Sequence, residues 1–203
     1  MKRRICTIKR RSKETDIILR LNLDGKGKAE INTGIGLLNH MLELFSFHGF
    51  FDLYLYAKGD IKKVDLHHTN EDVGIVLGTA FKKALGDKKG INRFGFFAVP
   101  MEENLAQVIV DISGRGYFKL KLEGISDYTL NQDGYSFKEM EHFFEAFSRY
   151  LGMNLFIMIN TSSESDLHSI LEPVFKALGV ALQQAISINP RRKGLPSTKG
   201  IID

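Results

Sequence analysis

The chain has no tryptophan, one cysteine and four prolines in 203 residues. A single thiol, Cys6, forms no internal disulfide and cannot supply a multi-cysteine zinc site. No apolar run approaches the roughly 20 residues needed to span a bilayer. The opening stretch, MKRRICTIKRRSKET, is basic but lacks the apolar segment of a secretory signal. The expectation is a soluble, cytoplasmic protein without a membrane partner. Charge of one sign is scarce too: 28 basic against 24 acidic side chains leave a net +4. The basic residues gather at the two ends (Lys2, Arg3, Arg4, Lys9, Arg10 and Arg11, then Arg191, Arg192, Lys193 and Lys199) with no interleaved aromatics. That distribution suits a small anion better than nucleic acid. What is plentiful is core-forming material: 43% apolar and 26% charged residues are globular proportions and exclude disorder and a coiled coil.

Periodicity gives the elements. Residues 17–23 alternate apolar and polar and meet an Asp24-Gly25 turn, as a strand and its hairpin do. After Thr33-Gly34, Leu38, Met41, Leu42 and Phe45 follow helical spacing up to Gly49. A strand over 51–57 and a helix from about Asn70 to Leu85 follow. Strands are expected over 94–99, 107–112 and 117–122, then a helix over Glu139–Tyr150. A strand over 155–159, a serine-rich loop over 161–165 and a helix ending near Ile186 complete the pattern.

The order of elements repeats. Asn39-His40-Met41-Leu42-Glu43-Leu44-Phe45-Ser46 aligns with Glu141-His142-Phe143-Phe144-Glu145-Ala146-Phe147-Ser148, and His67-His68-Thr69-Asn70-Glu71 aligns with His168-Ser169-Ile170-Leu171-Glu172. The offsets, 102 and 101 residues, differ by a single gap. Matching histidines and glutamates at one offset indicate an internal duplication.

Six histidines are present, and His40, His67, His68, His142 and His168 fall in these repeated segments. His67 and Glu71 stand four apart, on one helix face, where an imidazole and a carboxylate can share a divalent cation. His68 lies about 100° further round and addresses something else. His168 and Glu172 repeat the pair. Imidazole with carboxylate, and no thiolate, suits manganese, zinc or iron(II). The lone His48 has the look of an ordinary surface or core residue. Towards the C-terminus, Pro196-Ser197-Thr198-Lys199-Gly200 combines hydroxyls, a cation and glycine, a composition that wraps anions but also that of a solvated tail. Arg93 and Arg115 are further guanidinium candidates.

Taken in order, the motifs resemble the imidazoleglycerol-phosphate dehydratase family of histidine biosynthesis along nearly the whole chain. The resemblance is carried by Arg10-Arg11-Ser12-Lys13-Glu14-Thr15, Thr33-Gly34-Ile35-Gly36-Leu37-Leu38-Asn39-His40-Met41-Leu42, His67-His68-Thr69-Asn70-Glu71-Asp72, Arg93-Phe94-Gly95, Pro100-Met101-Glu102-Glu103, Asp111-Ile112-Ser113-Gly114-Arg115, Glu141-His142-Phe143-Phe144 and the closing Pro196–Gly200 motif. It implies an α+β fold made of an internally duplicated unit, each half a four-stranded sheet backed by two helices. The halves would be residues 1–90 and 91–203, packed as one compact domain. It implies a hydro-lyase converting imidazoleglycerol phosphate to imidazole-acetol phosphate through a metal-bound imidazolate. Two Mn2+ per active site would be held by His40, His67, His68, Glu71, His142, His168 and Glu172. Glu14 would be the acid/base carboxylate, and Arg93, Arg115, Ser197 and Lys199 would hold the substrate phosphate. The partners implied are a small phosphorylated imidazole and further copies of the chain, in a homo-oligomer of 24 subunits with active sites at the junctions.

The second half departs from the family pattern. Ser169 stands where the family has a second imidazole, so the site sharing His67 and Glu71 is expected to be the weaker one. The family's Gly-x-Asn is replaced by residues 162–166. Pro173 directly follows Glu172, so the last helix is expected to begin near Leu171 or kink there, with His168 on the lead-in. Asn39 replaces a frequent aspartate, and Gly116 a proline. The alternative these departures raise is a non-catalytic homologue that assembles and binds a phosphorylated ligand.

Overall fold

The computed structural model describes residues 3–124, 130–161 and 165–202. Sheet one is built from β1 (Ile5–Arg11), β2 (Thr15–Asn22), β4 (Asp52–Gly59) and β3 (Ala29–Asn32), in that spatial order. The first two pairings are antiparallel and the last is parallel. Sheet two is built from β5 (Phe94–Met101), β6 (Asn104–Asp111), β10 (Asn154–Asn160) and β7 (Tyr117–Glu123), with the same sequence of pairings. Helices α1 (Gly36–Gly49) and α2 (His67–Leu85) belong to the first unit. Helices α3 (Phe137–Leu151) and α4 (Leu167–Ile186) belong to the second. Identical topology in both units is the expected duplication made visible. The second differs by a small hairpin, β8 (Asn131–Gln132) and β9 (Tyr135–Ser136), inserted before α3.

Strand alternation decides which face of each sheet is covered. In β2 and β6 every second residue is buried, and those residues (Ile17, Leu19 and Leu21; Ala106, Val108 and Val110) lie beneath the helices. The opposite faces carry Tyr54, Tyr56, Phe94, Phe96, Ile109 and Phe156, all exposed. Large apolar side chains clustered on an open sheet face mark an interaction surface.

The helices pair across the two halves, α1 with α4 and α2 with α3. Glycines permit the close approach. A Cβ at Gly179 would lie 2.5 Å from the Phe45 carbonyl oxygen, and one at Gly74 or Gly78 would lie 2.7 Å from that of Phe143 or Phe147. Both pairs run parallel: His67 is beside His142 and Gly78 beside Phe147, while His40 is beside His168 and Gly179 beside Phe45. Between the units lies an aromatic core in which Phe147 contacts Phe45 and Phe81 and Phe143 contacts Phe175. Among the described residues, no helix is long and apolar enough to cross a membrane.

Two helix starts differ from the sequence expectation. Helix α2 begins at His67, because the Asp65 carboxylate accepts the His67 backbone N–H at 2.8 Å. Helix α4 begins at Leu167 and continues through Pro173. Asp166 caps it, accepting from the Ser169 N–H at 2.8 Å, and this cap sets the start ahead of the proline. His168 therefore lies on the helix. Of the stretch that replaces Gly-x-Asn, residues 162–164 lie outside the described residues.

Candidate metal centres and phosphate loops

Parallel pairing sets the helix N-termini side by side, and the histidines sit in the first two turns. His40 on α1 stacks on His168 of α4 with ring centroids 4.9 Å apart. Glu172, one turn on from His168, brings a carboxylate oxygen to 3.3 Å from the His168 Nε2 and 4.0 Å from the His40 Nε2. The neighbouring Lys176 ammonium holds the Glu172 carboxyl below its usual range, so it stays ionised. These three residues form one cation-sized group.

The second group joins α2 and α3. Nδ1 of His67 and Nδ1 of His142 are 3.1 Å apart, and the rings meet edge to face. Glu71 approaches the other edge of the His67 ring, at 3.8 Å from Nε2. Glu139, which sequence reasoning missed, places a carboxylate oxygen within 4.8 Å of the ligand atoms of both histidines. The one available signal was its position three residues before His142, on the same helix face. Asn70 of α2 locks the two helices together: its Nδ2 donates to the Glu139 carbonyl at 2.6 Å, and its Oδ1 accepts from the buried Tyr135 hydroxyl at 3.1 Å.

His68 joins neither group, as its rotation on the helix requires. Its Nδ1 is 3.0 Å from the Asp60 carboxylate, which raises its pKa and leaves Nε2 as the free ring nitrogen. Nε2 faces Glu14, 3.9 Å away. Glu14 lies in the turn between β1 and β2, at the edge of an open cleft of about 680 Å³ with Asp60 and Lys62. The opening motif fixes that turn. Ser12 Oγ accepts the N–H groups of Glu14 and Thr15, while Arg10 and Thr15 both bond the nearly buried Asp72 of α2. Arg10, Thr15 and Asp72 thus tie Glu14 to the helix that carries His67, His68 and Glu71.

The four anion candidates lie on segments that meet elsewhere. Arg93, at a strained φ of +81°, bonds both oxygens of Asp111 (2.6 and 3.1 Å) and the Pro196 carbonyl (3.0 Å). Three of its five donors are thereby engaged, and the C-terminal segment is pinned beside it. Ser197 Oγ accepts the Lys199 N–H at 3.3 Å, closing a turn with an exposed lysine. Arg115 is exposed on the Ser113–Gly116 loop, which packs against the end of α3. Gly116 is explained here: a Cβ would come within 2.3 Å of the Arg149 Cα. Asn39 is explained as well. Its Oδ1 accepts from the N–H (2.9 Å) and hydroxyl (2.6 Å) of Thr33, a task that an aspartate oxygen performs equally.

A family model described as imidazoleglycerol-phosphate dehydratase matches residues 33–182. The chain belongs to the imidazoleglycerol-phosphate dehydratase family. A relative of that name from Thermoanaerobacter sp. (strain X514) is 50% identical over 199 residues, covering 96% of this chain and 97% of its own. Another, from Methanocella arvoryzae, is 48% identical over 200 residues, covering 98% of this chain and all of its own. Among solved structures, the imidazoleglycerol-phosphate dehydratase of Staphylococcus aureus superposes with a TM-score of 0.77 at 33% identity, covering 91% of this chain and 99% of its own. That of Pyrococcus furiosus gives 0.78 at 33% identity, covering 96% and 99%. The duplicated α+β unit is thus the fold of these dehydratases, and the chain is an enzyme of histidine biosynthesis.

Proposed function

We propose that the chain dehydrates imidazoleglycerol phosphate to imidazole-acetol phosphate with two Mn2+ ions, one at each histidine pair, in a cytoplasmic homo-oligomer of 24 subunits. The observation that carries this reading is the double pairing of imidazoles across the halves, each pair with a carboxylate beside it. Such donors fit a borderline-hard cation. They also answer an electrostatic problem, because helix N-termini carry partial positive charge and repel a cation unless anionic side chains offset it. Glu71 and Glu172 stand in the first two turns of α2 and α4 for that purpose.

In this reading His40, His168 and Glu172 hold one ion and His67 and His142 the other, with Glu71 at the far edge of the His67 ring. His68 offers its free Nε2 to an ion from another side. When bound, such ions act as Lewis acids on the substrate's ring nitrogens and ease removal of the ring proton. Loss of water from the carbon beside the ring then needs a proton taken from the next carbon. The hydroxyl leaves as water with the proton released from the ring; Glu14 accepts the proton of the next carbon at a carboxylate oxygen and gives it back to the ring, leaving an enol that tautomerises to the ketone.

Phosphate recognition belongs to a second copy. Arg93 donates its backbone N–H to the Ala185 carbonyl at the C-terminal end of α4. At 1.5 Å per residue, that end is about 25 Å from His168. The substrate, a ring with three carbons and a phosphate, is about 10 Å long at ordinary bond lengths. Arg93, Arg115, Ser197 and Lys199 therefore serve the metal centres of an adjacent subunit, and the exposed apolar sheet faces supply surface for assembly.

The test is a dehydration assay on metal-stripped protein with and without added Mn2+. Product is expected only with the metal. Glu14→Gln is expected to lower kcat by about 10²–10⁴-fold while leaving Mn2+ binding intact. Absence of turnover in the Mn2+-loaded protein would support the non-catalytic alternative instead.

A further inference from the structure

The His67–His142 pair holds a feature without a counterpart at the other pair. His142 corresponds to His40 in the repeat, so Glu139 corresponds to Leu37, a buried apolar residue. The second half has lost an imidazole at Ser169 and carries a carboxylate at 139.

Geometry gives that carboxylate a task. The ring nitrogens of His67 point in divergent directions, one towards Nδ1 of His142 and the other towards Glu71. An ion bound to one ring nitrogen cannot also lie on the other edge. Bonds of about 2.1 Å set at right angles put neighbouring donors about 3.0 Å apart, and the two Nδ1 atoms are 3.1 Å apart. At that position Glu139 is the carboxylate within reach. Glu71 can join the same ion only after the His67 ring turns.

We propose that Glu139 is a ligand of the ion at the His67–His142 pair. The inference rests on the metal-dependent reading above. The alternative role for Glu139 is at the start of α3, where the Ser136 hydroxyl donates to its carboxylate. That bond occupies only part of the acceptor capacity of a carboxylate, which has about four lone-pair sites. Asn70 fixes the backbone of Glu139 against α2, so the side chain emerges at the pair without a change in helix packing.

Mn2+ alone is the probe, titrated into stripped, assembled protein and followed by calorimetry and by the free-Mn2+ electron paramagnetic resonance signal. The parent protein is expected to bind two ions per chain. Glu139→Gln should weaken one of them by about tenfold or more, since losing even an outer partner of a metal site costs about 10–100-fold. Ser136→Ala removes the helix-start bond and should leave both affinities within about twofold. Unchanged affinities in Glu139→Gln, or an equal loss in Ser136→Ala, would overturn the ligand role. If the parent binds no Mn2+ at all, the metal reading itself fails, whatever Glu139 does.

Discussion

Two inactive variants are expected to restore each other's activity when assembled together. One lacks a metal centre, as His40→Ala; the other lacks phosphate contacts, as Arg115→Ala with Lys199→Ala. If each active site takes its histidines from one copy and its phosphate loops from another, random mixing at equal amounts leaves half of each end intact. About a quarter of the sites are then whole, which is a simple consequence of symmetric assembly. Mixing after unfolding and refolding together should therefore raise activity from near zero to about a quarter of the parent value. Mixing already assembled variants should not. The reason lies in the helices: the histidine groups occupy N-terminal ends, while Arg93 and the loop of Arg115 pack against the C-terminal ends of α4 and α3. No recovery after joint refolding would mean that both ends serve one copy.

His142→Ala and His40→Ala are each expected to abolish turnover, with losses of about 10³-fold or more, a size in keeping with removal of electrostatic stabilisation at a reacting centre. Each should also delete one of two bound Mn2+ ions while the other remains. The two candidate groups lie on different helix pairs, α2 with α3 and α1 with α4, so the two deletions are expected to be independent. His48→Ala is the matched control: it lies on α1 but joins neither group among the described residues. Calorimetry counts the ions, and a kinetic assay of product formation measures the loss. A histidine variant that keeps both ions and full turnover would remove that residue from the site.

Much of this site was legible before any coordinates. Spacing alone put His67 with Glu71 and His168 with Glu172, and the repeat offset tied His40 to His142. The rest depended on interactions that no local pattern encodes. Pro173 argued for a late start to α4, yet the cap from Asp166 sets the start at Leu167, because a cap acts at the end of a helix whereas the proline lies more than a turn inside. Amphipathic stripes announce that a helix packs but not against which partner. Glycines at 74, 78 and 179 decide that α2 meets α3 and α4 meets α1, and this crossing brings histidines from opposite halves together. Glu139 was hard to see for the same reason: apart from its spacing to His142, its neighbour His67 belongs to the other half and its repeat equivalent is a leucine. Asp60 and Asp72 likewise act through contacts distant in sequence, one on His68 and the other on Arg10 and Thr15.

The most direct measurement is a crystal structure of the assembled protein grown with Mn2+, with data collected at the manganese absorption edge. Two anomalous peaks per chain are predicted, one between His40, His168 and Glu172 and one at His67 and His142. Histidine side chains packed as they are here with no peak at either pair would contradict the account.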